Sequence, residues 1–86
     1  MDWNLNRLQY VILNIMLKQH ATDHMHSISC YEIRDEEDHV KVETIYKHIR
    51  ILESYGLVEQ GARVERANGY ILTQKAIDML PKSKKE

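Results

Sequence analysis

Cysteine, proline and glycine are scarce in this chain: one Cys, one Pro and three Gly among 86 residues. The lone Cys30 excludes an intramolecular disulfide framework and fits a reducing compartment, where a small domain depends on packing or on a partner subunit. A cytoplasmic protein is therefore expected. Long hydrophobic runs are missing too: the apolar stretch 10–17 is interrupted by Asn14 and falls far short of the ~20 residues that span a bilayer. It has no cationic segment before it of the kind a secretory signal needs. Charge of one sign is not in excess, the net being −1, which withdraws the simplest argument for a polyanionic partner. The chain also lacks a P-loop, a G-x-G-x-x-G, an H-E-x-x-H and a Ser or Cys nucleophile with a base at readable spacing. At this length folding buries roughly 60% of the unfolded surface, enough for one modest core but not for a deep enzyme pocket. Neither an enzyme nor a cofactor is expected.

What the chain does have is charge in separate places. Residues 30–38 set Arg34 against Glu32, Asp35, Glu36, Glu37 and Asp38, a net −4, which leaves +3 on the remainder. The bases that suit a polyanion lie in 41–50, at Arg63 and Arg66, and in the Lys-rich end. A single domain over 1–81 is expected, followed by a disordered basic tail at 82–86.

The apolar spacing predicts a helix over 4–19, with Asn4 as its N-cap and Trp3 and Leu8 as a hydrophobic staple. Leu5, Leu8, Val11, Ile12, Ile15 and Met16 form its core stripe. Tyr10, Leu13 and Leu17 form a second stripe, and Arg7, Asn14 and Lys18 a narrow polar sector. Residues 20–27 read as a loop and 27–29 as a very short strand. Ser29-Cys30-Tyr31-Glu32 is a capping box, so a short helix starts at Cys30 and ends in the acidic run 35–38. Val42, Ile45, Ile49 and Leu52 predict a helix over 42–55, closed by Gly56 though weakly capped by Lys41. The β-rich segments 57–60 and 69–73 predict a hairpin whose charged tip, 61–68, holds Arg63 and Arg66. Thr73 caps a last helix over 74–80, stopped by Pro81.

Helix, short strand, helix, helix, hairpin, helix is the order of a winged helix-turn-helix, an α+β, mostly helical fold with a three-helix core and a β-hairpin wing. Thr44-Ile45-Tyr46, Ile49, Leu52-Glu53, Gly56-Leu57-Val58-Glu59 and Tyr70-Ile71-Leu72-Thr73 resemble the recognition-helix, wing and last-helix signature of PadR-like and MarR-like transcriptional regulators. Tyr31-Glu32-Ile33 is similar to the start of the second helix in PadR-like proteins. The resemblance implies a small regulator that binds double-stranded DNA, with helix 42–55 in the major groove and the 57–73 hairpin as wing. It covers most of 28–80. Ala76 stands where those families commonly have Gly, and Ser29-Cys30 where PadR-like proteins usually have His-Gly.

Physical chemistry gives these positions matching roles. With the apolar stripe of 42–55 facing inward, Thr44, Tyr46, Lys47, His48 and Arg50 stay outside to meet bases or backbone, while Lys41 suits a phosphate. Arg63 and Arg66 on a wing suit a narrow minor groove. The competing readings are a protein-interaction module that uses the acidic segment 32–38, and a phage or plasmid accessory protein of replication or recombination. Tyr10, Leu13 and Leu17 are the candidate homodimer interface, since a twofold pair presents two recognition helices to successive major grooves. His20, His24, His26 and Cys30 form an H-x3-H-x-H-x3-C series open to zinc or copper. It matches no standard structural zinc motif, so no metal is assigned.

Overall fold

A computed structural model of the protein describes residues 5–80. It contains α1 (Arg7–Lys18), a 3-10 turn (His24–His26), β1 (Ile28–Ser29), α2 (Cys30–Glu36), α3 (Val42–Ser54), β2 (Val58–Val64), β3 (Ala67–Leu72) and α4 (Gln74–Met79). The expected order of elements is present. Asn4, Trp3 and the segment 81–86, with its expected stop at Pro81 and its basic tail, lie outside the described residues. No helix among the described residues is long and apolar enough to cross a membrane.

Local chemistry sets most of the boundaries. The expected Asn4 cap gives way to Asn6, whose side chain accepts from the Gln9 amide at 2.9 Å while the Gln9 side chain accepts from the Asn6 amide at 2.9 Å. This reciprocal box satisfies two orphan helix donors and starts α1 two residues later than the apolar pattern alone suggests. At the other end His20 adopts φ 60°, and bonds from His20 to Leu17 and from Ala21 to Met16 close the helix as a Schellman motif. Ser29 and Glu32 form the expected capping box of α2. Gly56, at φ 79°, ends α3 in a second Schellman motif through Gly56 to Glu53 and Leu57 to Leu52. Thr73 caps α4 by accepting from the Ala76 amide.

The sheet order is β1-β3-β2, all antiparallel, and the core lies between this sheet and the helices. Ile12, Leu13, Met16, Ile33, Ile45, Ile49, Leu52 and Leu57 are the heart of it, each at most 1% exposed. Burying an aliphatic side chain of this size is worth about 1.5–3 kcal/mol.

The structure departs from two expectations. Leu13 is fully buried, so it does not share a free stripe with Tyr10 and Leu17. The helix packs against α2, α3 and β3 at once, which widens its buried arc to take in the flank where Leu13 lies. The hairpin also differs from expectation, because its tip is not the eight-residue segment 61–68. Val64 pairs with Ala67, so the turn is Glu65-Arg66 with Glu65 at φ 57°, and Arg63 belongs to β2 opposite Asn68. Charged residues are tolerated along this ladder because β2 is solvent-exposed over most of its length.

Candidate nucleic-acid interface

Because Ile45, Ile49 and Leu52 take α3 into the core, the opposite face is left to solvent. Glu43, Tyr46, Lys47 and Arg50 are exposed there, whereas Val42, Thr44 and His48 are half-buried on its flanks. Lys41 supplies no side-chain cap, and Glu43 is the acidic residue in the first turn of the helix, at the positive end of its dipole. Lys47 has no hydrogen-bond or ion-pair partner among the described residues.

Arg50 is braced on its own helix. Its Nη1 donates to the Tyr46 hydroxyl at 3.0 Å, its Nε lies 3.4 Å from Glu53 Oε1, and its guanidinium carbon is 5.9 Å from the Tyr46 ring centre. The Tyr46 hydroxyl first, and Glu53 after it, hold the guanidinium further toward its charged form. A guanidinium already held in place loses less rotamer freedom on meeting a phosphate.

His48 is turned away from solvent toward α1. The Gln9 side-chain oxygen is occupied by the Asn6 amide, so its Nε2 is the atom that faces His48 Nδ1, 3.2 Å away. Nδ1 must then accept, which leaves the imidazole proton on Nε2. The expected outward, freely disposed His48 is thereby replaced by a residue that ties α3 to the capped end of α1.

On the hairpin, Arg63 Nη2 donates to the Arg66 carbonyl at 3.0 Å, folding one arginine over the turn that carries the other. A groove of about 300 Å³ separates hairpin and helix; Tyr31, Val42, Tyr46, Asn68 and Tyr70 line it. Helix face and hairpin therefore border one cleft. Tyr70 forms part of its wall, and burial pushes its phenol pKa up. A larger groove of about 520 Å³ between α2 and the hairpin end brings Glu32, Asp35 and Glu65 beside Arg66. Arg66 thus works against local acid, and Arg63 is the less opposed wing cation.

No family model and no curated protein sequence matches the chain. Solved structures do. The hsRosR-S4 complex superposes with a TM-score of 0.72 at 24% identity, over 87% of this chain and 64% of the other. A MarR family protein from Bacillus stearothermophilus gives 0.71 at 18%, over 90% and 49%. ZitR from Lactococcus lactis gives 0.71 at 21%, over 91% and 49%. The domain is a winged helix. It spans about half the length of the latter two chains.

In this winged helix, α2 and α3 are the helix-turn-helix pair and β2–β3 is the wing hairpin. Tyr31 and Asn68 line the cleft between them and were not singled out for this place by spacing in the sequence. Their approach is a tertiary event, which spacing within one element does not encode.

The histidine and cysteine series does not converge. His20 serves as the left-handed closing residue of α1, and His26 Nδ1 is 2.8 Å from the Asp23 carboxylate. Cys30 is buried, which pushes its thiol from an ordinary 9.0 up to about 11. Among the described residues, the three potential ligands that approach within 4.8 Å of one another are Glu37, Asp38 and His39. Near pH 8 the native Cys30 thiol is expected to react with iodoacetamide about 100-fold more slowly than in the unfolded chain, because the thiolate is the reacting form. Equal rates with and without urea contradict that burial.

Proposed function

We propose that this winged helix is a small transcriptional regulator that binds double-stranded DNA, with α3 in the major groove and the β2–β3 wing against the backbone or minor groove. The observation that carries the reading is the outward face of α3, where Lys47 has no partner among the described residues and Arg50 is braced by Tyr46; its Val42, Glu43 and Tyr46 side shares one cleft with Ala67, Asn68 and Tyr70 of the arginine-bearing wing. Lys47 meets guanine or phosphate. Arg50 and Lys41 meet phosphate, and Thr44 and Tyr46 reach backbone or base edges at the flanks. His48 offers only its Nε2 proton and chiefly orients the helix. Arg63, with Arg66, enters the narrow groove. A cytoplasmic homodimer fits this role, with the exposed Tyr10 and the half-buried Leu17, itself packed on the core, as the α1 residues left to a second copy; it places two α3 helices about 34 Å apart on the duplex.

Fluorescence anisotropy with random-sequence duplex DNA tests this reading. About four phosphate contacts per domain predict a roughly 100-fold loss of affinity between about 50 and 200 mM salt. Lys47→Ala and Arg63→Ala are each expected to weaken binding and to flatten the salt slope by up to about one. No binding at the lower salt moves the assignment to a protein partner.

A further inference from the structure

The wing is positioned at its base. Gln60 opposes Tyr70 and Arg63 opposes Asn68, so Gly61 and Ala62 together face Gly69 in a β-bulge. A bulge takes one residue out of the ladder and bends the strand that carries it. The amide displaced here is that of Ala62, and it donates to Ser27 Oγ at 2.9 Å, across 35 residues of sequence. The Ser27 hydroxyl in turn donates to the His24 carbonyl at 3.0 Å. That carbonyl belongs to the 3-10 turn, whose start Asp23 caps by accepting from the His26 amide at 3.1 Å. The fit is close: a Cβ on Gly61 would overlap Ser27 Oγ, and one on Gly69 would lie 2.7 Å from Ser27 Cβ. Beyond the bulge the strand carries Arg63, and the turn carries Arg66.

We infer that Ser27 is a positioning residue for the wing: its hydroxyl locks the bulge to the 3-10 turn and so aims Arg63 and Arg66 at the nucleic acid. This rests on the DNA-binding reading for its ligand, but not for its geometry. The Ser27–Ala62 hydrogen bond is solvent-exposed, so water replaces it when the hydroxyl is removed and the domain stays folded. What is lost is the direction of the wing.

Two measurements on Ser27→Ala test the inference. Residual dipolar couplings of the full chain without DNA are expected to change for the amides of 61–68 and to stay put for α1 and α3; unchanged wing couplings overturn the proposal whether or not the chain binds DNA. Affinity for random duplex at about 50 mM salt is expected to fall by up to roughly 15-fold, the counterion-release share of one phosphate contact at that salt. The same change in an Arg63→Ala/Arg66→Ala background is expected to have no further effect. An equal loss in both backgrounds overturns the proposal, because Ser27 then acts on the whole domain and not through the wing. A wild-type chain that fails to bind DNA removes the functional reading alone, and the couplings still decide the geometry.

Discussion

A Leu13→Glu variant is expected to be unfolded at room temperature. Leu13 is 0% exposed and packs in the same cluster as Ile12, Met16, Ile45 and Ile49. Truncating a buried leucine costs about 2–5 kcal/mol, and a carboxylate left there without a partner adds several more unless it picks up a proton. Against this, a chain of 86 residues has a total stability of about 4–13 kcal/mol at ~0.05–0.15 kcal/mol per residue. The loss is therefore comparable to the whole. Tyr10→Glu is the control, since Tyr10 is 38% exposed on the outer side of the same helix; it is expected to stay folded and to report on self-association. Circular dichroism melts with sedimentation velocity separate the two. A cooperative melt for Leu13→Glu within a few degrees of wild type means that Leu13 faces outward.

Gly69→Ala is expected to lower the melting temperature by about 5–10 °C and to weaken DNA binding with it. The added Cβ would overlap the Ala62 carbonyl oxygen and lie 2.9 Å from Val64 Cγ2. Neither the neighbouring backbone nor a β-branched side chain retreats easily. Overpacking of this kind costs about 1–3 kcal/mol, whereas the lower entropy of the unfolded alanine chain returns only about 0.4–1. One kcal/mol moves the midpoint of a domain this size by about 4–8 °C. Gly69 pairs with Ser29 of β1 and faces the β2 bulge on its other side, so yielding here opens the base of the wing. A melt equal to wild type contradicts this close approach.

The parts of the fold written in neighbouring residues were readable from sequence. The Ser29 capping box, the Thr73 cap, the Gly56 closure and the Ile45, Ile49 and Leu52 stripe each rest on contacts within four or five positions, and the helix order follows from them. α1 starts two residues later than its apolar pattern predicts, although Asn6 and Gln9 stand at the spacing of a capping box. The assignment of Leu13 failed for a different reason. Periodicity gives the direction of a side chain, but how wide an arc is buried depends on how many elements cover the helix, and three cover α1. In the hairpin, charge and glycine pointed to a loop, while backbone pairing carried β2 on to Val64 and set Arg63 in a strand. In the candidate site, the outward face of α3 followed from the same stripe that buries it. The contacts that orient the site did not, because Gln9 meets His48 across 39 residues and Ser27 meets Ala62 across 35.

The surface proposed to receive duplex DNA is the outward face of α3 together with the wing. Titrating short duplex DNA into ¹⁵N-labelled protein and following its amide shifts tests this most directly. The perturbed amides are expected to cluster in 41–50 and 62–68, with the acidic segment 35–38 and the outer face of α1 unmoved. Shifts centred on 35–38 or on α1, with 41–50 and 62–68 unmoved, contradict it.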